Sequence, residues 1–113
     1  MTETQRKFLT EYLGLIYHEI VGETKKGTSL CSCGRSGMDY WDICVKGNIH
    51  FDTAQDKQDL LMAIIEKGEW SEFHIYAVGS CPSNWNPEEY TKWLIQLSPE
   101  KTAELICRWK GIS

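Results

Sequence analysis

The spacing of apolar and polar positions predicts helices over much of the chain. In residues 2–21, apolar side chains recur every four positions, as in a helix with one buried face: Phe8, Tyr12, Ile16 and Ile20. The pattern predicts that this helix continues through Gly14 and ends at Gly22, with His18 near its end. Residues 22–38 are rich in glycine and are expected to form a loop.

The most apolar segment lies in the middle of the chain, between Phe51 and Phe73. Asp52 is predicted to cap a helix there, Gln55 to complete the capping box and Gly68 to end the helix. Residues 60–65 are apolar on more than one face, so this helix should be the most buried one. Three of its side chains are expected in the core: Leu61, Ile64 and Ile65.

Strand-forming residues follow and precede this segment. Within residues 39–51 they predict a hairpin that turns at Gly47-Asn48. Residues 73–78, with the sequence Phe-His-Ile-Tyr-Ala-Val, predict a third strand that ends at Gly79. Asn86-Pro87 and Ser98-Pro99 are start signals for two further helices, of which the last ends at Gly111.

The predicted order is helix, hairpin, helix, strand, helix, helix. This order indicates one α+β domain over residues 1–113, with a small, mostly antiparallel sheet (the hairpin plus one strand) covered by about four helices.

Charge and composition narrow the classes of function. The formal net charge is −4 and no long run of lysine or arginine is present, which argues against nucleic-acid binding. The N-terminus lacks the apolar core of a signal peptide, and no stretch has the length of a membrane span. We therefore expect a cytoplasmic protein whose five cysteines are reduced thiols or metal ligands.

The candidate chemistry is a metal site. His18, Cys31 and Cys33 are predicted to bind zinc, with Cys44 or His50 as the fourth ligand, because zinc favours thiolate and imidazole in a tetrahedral site. Cys31-Ser32-Cys33-Gly34 is expected to form a tight turn in which backbone amides can approach the sulfurs, although its one-residue spacing is shorter than the two to four residues usual in zinc sites. The alternative is that no cofactor is bound and that these cysteines are unlinked, small buried side chains.

The aromatic residues suggest a binding surface rather than a catalytic site. Trp41, Trp70, Trp93 and Trp109 lie on patterned faces and are expected in the core. Trp85 lies in a loop and is the candidate partner-binding residue, since exposed aromatics anchor interfaces. Its alternative is a lid that folds back onto the domain. No catalytic residue is predicted, because no cysteine and histidine share a local catalytic signature.

Three stretches carry a resemblance to a known group of proteins. They are residues 8–14 with Tyr17-His18-Glu19, Phe51-Asp52-Thr53 through Trp70 and Phe73, and Leu97-Ser98-Pro99-Glu100. Together they resemble small proteins of unknown function encoded by bacteriophages and prophages, including the phage sandwich-domain proteins. Relatives often place a cysteine two residues before the histidine and a Cys-x-x-Cys-Gly after it, where this chain has Ile16 and Cys31-Ser32-Cys33-Gly34. The resemblance implies phage origin and a location inside an infected bacterium.

Together these features predict a phage accessory protein, not an enzyme, that acts by binding. Its expected partner is a host or phage protein, with inhibition of a host defence component as the expected role, and neither nucleic acid nor membrane is expected to bind. One alternative is a small zinc-stapled structural module. A second alternative is a cysteine-dependent hydrolase, which would require a cysteine or histidine facing a pocket.

Overall fold

The computed structural model describes residues 1–113. In chain order its elements are α1 (Glu3–Tyr12), β1 (Ile20–Glu23), β2 (Ser29–Cys31), a π-helical turn (Tyr40–Cys44), α2 (Val45–Gly47), α3 (Ala54–Glu66), α4 (Trp70–Gly79), α5 (Pro87–Gln96) and α6 (Pro99–Trp109). β1 and β2 form a two-stranded antiparallel sheet. The protein is therefore α+β, as the sequence predicts, although the sheet is built from other residues than expected.

Side-chain caps define the helix starts. Asn86 and Ser98 cap α5 and α6, each followed by proline, and both predicted starts are confirmed. The cap of α3 is Thr53, whose hydroxyl accepts from the Asp56 amide while the Asp56 carboxylate accepts from the Thr53 amide. The prediction that Asp52 and Gln55 form this capping box was wrong by one position.

Glycines in the left-handed conformation end three helices in the same way. After α1, α3 and α6, the amides of the glycine and of the next residue return to the last helical turn, as in a Schellman motif. Gly68 and Gly111 were expected in this role, with φ of 72° and 73°. Gly14, with φ of 78°, also ends a helix, so the prediction of one helix over residues 2–21 is wrong.

Three strand and loop predictions are also wrong. Residues 70–79 form α4 rather than a strand, because Phe73 and Ala77, four positions apart, both pack into the core. The Phe73 ring lies 5.3 Å from the Trp109 ring of α6. Residues 40–47 are helical rather than a hairpin, and the hairpin lies instead in residues 20–31, within the expected loop.

The main core lies among α1, α3, α4 and α6, with α6 in contact with the other three. Ile64 is fully buried and Leu61 is half-buried, but Ile65 is 50% exposed, so its predicted burial is wrong. Leu60 takes its place with no exposed surface. Phe51, also fully buried, has a left-handed backbone with φ of 57°, which is unusual for a bulky residue.

Two partly buried polar contacts tie the helices together. The Lys57 ammonium donates to the carbonyls of Leu94, Ile95 and Leu97 at 2.8, 2.8 and 2.7 Å, and so satisfies the end of α5. Between α3 and α4, the Glu69 carboxylate accepts from the Tyr12 hydroxyl at 2.7 Å and pairs with Lys110. Both contacts connect segments that are distant in sequence.

The molecule is elongated, with extents of 62 × 23 × 21 Å. Its radius of gyration of 17.2 Å exceeds the roughly 13 Å expected for a compact chain of this length. Residues 17–48 form a separate small lobe, which we call the cysteine lobe, and their buried cluster is distinct from the main core. No helix combines the length and the apolar character needed to cross a bilayer.

Candidate metal centre

Four side chains with metal-binding atoms meet in the cysteine lobe. The ligand atoms of His18, Cys31, Cys33 and Cys44 all lie within 4.8 Å of one another. The Cys31 Sγ is 3.5 Å from His18 Nδ1, and the Cys33 Sγ is 3.5 Å from the Cys44 Sγ. Around a tetrahedral zinc with ordinary bond lengths, ligand atoms are separated by about 3.5–3.8 Å. The group therefore has the composition and nearly the dimensions of a Cys₃His metal site.

The main chain at His18 is clamped by the side chain of Asn48. The Asn48 Oδ1 accepts from the His18 amide at 2.9 Å, and its Nδ2 donates to the His18 carbonyl at 3.0 Å. On either side, the Ser32 hydroxyl donates to the Tyr17 carbonyl at 2.8 Å and the Ser32 amide donates to the Glu19 carbonyl. These bonds hold the extended segment between α1 and β1 against the turn that carries Cys31 and Cys33.

Cys31 and Cys33 are presented by a turn at the end of β2. The Gly34 amide donates to the Cys31 carbonyl at 2.9 Å, and Gly34 has φ of 98°, which suits a residue without a side chain. The Arg35 carbonyl then accepts from the Cys31 amide at 2.7 Å. In this turn both sulfurs lie on the same side of the chain. A Cys-x-Cys pair in an extended strand would also place its two side chains on one face.

Cys44 is the last residue of the π-helical turn. It lies four residues after Tyr40. The side chains of Tyr40 and Cys44 are buried together against Cys31 and Cys33. The sequence predicted Cys44 on a strand and His18 on a helix, and both placements are wrong. The π-helical turn and the extended segment nevertheless bring these two residues to the same point. Single π turns are frequent at functional sites.

The electrostatics of the site favour a thiolate at Cys31. Burial alone would raise the pKa of Cys31, but hydrogen bonds from the Cys33 amide and from the side chains of His18, Ser32 and Cys33 lower its pKa to about 6. Burial, followed by hydrogen bonds to Cys33 and Cys31, raises the pKa of Cys44 to about 11. Three thiols so close together cannot all ionise unless a cation is present.

The cysteine lobe has very little apolar core of its own. Its buried residues are Tyr17, Cys31, Tyr40 and Cys44, of which two belong to the candidate metal site. A segment of this size normally needs a metal or disulfides to stabilise its fold. All five cysteines of the chain are free.

The structure separates the two candidates for the fourth ligand. Cys44 joins the group, whereas His50 lies outside it, with its Nδ1 at 3.3 Å from Arg6 Nη1. Sequence reasoning missed Asn48 and Ser32 as the residues that position the site. Asn48 beside Gly47 was interpreted as a hairpin turn. Its bonds to the amide and the carbonyl of His18 reach across 30 positions of sequence, for which the chain has no local signal.

Two tryptophans exchange their expected environments. Trp85 is half-buried and packs edge-on against Trp93 at 6.4 Å, as in the alternative in which this loop folds back. Trp41, expected in the core, is 56% exposed and lies in the π-helical turn that carries Cys44. The exposed aromatic of this protein is therefore Trp41.

Comparison of the chain with protein-family models, with curated proteins and with solved structures gives no match.

Proposed function

We propose that this protein is a small zinc-stapled module in which His18, Cys31, Cys33 and Cys44 bind one zinc ion and thereby fold the cysteine lobe. The observation that carries the proposal is the convergence of four ligand atoms within 4.8 Å in a lobe whose only other buried side chains are those of Tyr17 and Tyr40. Zinc is the metal that fits three thiolates and one imidazole in a tetrahedral arrangement.

Burial of the sulfurs favours a structural role for the metal. Cys31 and Cys44 are 1% and 0% exposed, so a substrate cannot reach them. The low pKa of the Cys31 thiol beside His18 would also suit a catalytic nucleophile. A nucleophile, however, must contact its substrate. We therefore interpret the Cys31 thiolate as a ligand. His18 lines two cavities of about 550 and 450 Å³, but no cysteine lines either of them, so the cysteine-dependent hydrolase considered above has no accessible nucleophile there.

Metal content is the direct test. Protein purified without a histidine tag should contain one zinc per chain, and a chelator should loosen residues 17–48 before the helices in hydrogen exchange. Cobalt should bind in place of zinc and give the visible absorption of a tetrahedral thiolate site. Less than about a tenth of a zinc per chain, with no cobalt spectrum, would contradict the proposal.

Single substitutions distinguish ligands from neighbouring thiols. Cys33→Ser and His18→Ala should each lose zinc, whereas Cys81→Ser should retain it, because Cys81 lies in the helical part and donates to the Ala77 carbonyl. Equal zinc content in all three variants would show that the metal binds elsewhere.

A second, compatible function is protein binding by the cysteine lobe, in the role of a phage accessory protein acting on a host protein. The observation that favours it is the exposure of Trp41, with Met38 and Ile43 also exposed near the Cys44 ligand. Exposed tryptophan and methionine are typical of interface centres.

The test of this second function is a comparison of captured proteins. Bait protein and its Trp41→Ser variant should be exposed to lysate of infected bacteria under the same conditions. A host protein captured by the original chain should be lost from the variant. Identical sets of captured proteins would argue against a role for this surface.

A further inference from the structure

A second exposed apolar surface lies on the helical part of the molecule. We call it the α3 face, and it is defined by four large side chains that are 52%, 45%, 50% and 71% exposed: Leu15, Met62, Ile65 and Ile95.

Two cavities make this surface continuous. One, of about 570 Å³, lies between α3 and α5 and is lined by Leu61, Met62, Leu94 and Ile95 among others. The other, of about 250 Å³, lies between α3 and the segment after α1 and is lined by Leu13, Leu15 and Met62 among others. Met62 lines both cavities and so forms a ridge between them. Ile65 follows Met62 by three positions on the same side of the helix.

The free charge on the α3 face is negative. Asp59 and Glu66 line the smaller cavity, and neither carboxylate takes part in an ion pair. Lys57, which lines the larger cavity, directs its ammonium to three carbonyls at the end of α5, and the Lys67 ammonium lies over the Tyr12 ring. A positively charged partner would therefore find its counter-charges unpaired.

We propose that the α3 face binds an amphipathic helix from another protein, with apolar side chains in the two cavities and lysine or arginine beside Asp59 and Glu66. Grooves on both sides of a ridge are the complement of a helix surface, and helix-in-groove binding uses anchors at such spacing. The flexible Met62 side chain can adapt to the anchors of the partner. A second copy of this chain is a poor occupant, because its formal net charge of −4 would bring like charges together.

Model peptides can test the chemistry of the partner. One probe is a helical leucine–lysine peptide of about 14 residues, which matches the length of α3 at 1.5 Å per residue. The other has the same leucines with glutamate in place of lysine. The leucine–lysine peptide should bind by calorimetry and weaken as salt is added, whereas the leucine–glutamate peptide should not bind.

Variants of exposed residues locate the site. Met62→Ser and Ile95→Ser should each weaken binding of the leucine–lysine peptide about tenfold or more. Ile75→Ser is the matched control, since Ile75 on α4 is as exposed as Ile95 and lies outside both cavities. Circular dichroism would verify that each variant folds.

Three outcomes would overturn the proposal. They are equal binding of both peptides, unchanged binding in the Met62 and Ile95 variants, and an equal loss in the Ile75 control. Sedimentation of the protein alone tests whether a second copy of the chain occupies the α3 face. A dimer that dissociates in the Met62→Ser variant would assign the α3 face to that second copy instead.

Discussion

Phe51 combines complete burial with a left-handed backbone, and the two features have separable energetic effects. Truncation to alanine removes a fully buried ring and should lower the free energy of unfolding by about 3–5 kcal/mol. Alanine at position 51 would still have to adopt a φ of 57°, which costs an L-residue roughly 1–2 kcal/mol. Glycine removes the same ring and the backbone strain together. Phe51→Gly should therefore be about 1 kcal/mol more stable than Phe51→Ala.

Phe73 is the matched control, because it is equally buried but lies inside α4. There glycine should be less stable than alanine by about 0.5–1 kcal/mol, the usual order in a helix. Urea denaturation followed by circular dichroism measures all four variants, provided that the denaturant slopes agree. If glycine is no better than alanine at position 51, the left-handed strain does not exist and the reasoning fails.

Three further variants test polar contacts. Lys57→Met should lower the free energy of unfolding by about 1–2 kcal/mol in urea, since three partly buried carbonyls lose a charged donor, whereas Lys92→Met should change it by less than about 0.5 kcal/mol. Hydrogen bonds from Lys110 and Tyr12 lower the pKa of Glu69 below its ordinary value of 4.5. Ionised Glu69 therefore stabilises the fold above pH 4.5, and this stabilisation is lost as the pH falls through the lowered pKa. Acid titration of Glu69→Gln should therefore show a flatter loss of stability, and an unchanged curve would contradict this. Asn48→Ala should weaken zinc binding about 10–100-fold in competition with a chelator, because it releases the His18 backbone.

Local signals in the sequence predicted the starts and ends of several helices correctly. Asn86-Pro87 and Ser98-Pro99 need only their own first turn to act as caps, and Gly68 and Gly111 need only a positive φ. Gly14 was different, because the apolar spacing continues beyond it. Ile16 and Ile20 keep that spacing but are exposed, so the pattern there does not mark a buried face.

Tertiary contacts decided the elements that the sequence did not predict. The run from Phe73 to Val78 has strand-forming residues, yet α6 provides a helix surface on which Phe73 packs. The group of possible metal ligands was predicted from residue type alone, because thiolate and imidazole are what zinc requires. The structure selects Cys44 over His50 through a π-helical turn, for which a single sequence has no local signal.

The mutual hydrogen bonds of Asn48 and His18 have a consequence for the tolerance of the chain to insertions. They join the two ends of the cysteine lobe. The lobe is therefore connected to the helical part as a single loop whose ends are held together. The entropy of closing a flexible loop rises only slowly, by about 0.6 kcal/mol for each doubling of its length. Lengthening or shortening the turn between β1 and β2 is therefore nearly neutral for the helical part, and the lobe can diverge in sequence while the helices beneath it stay the same.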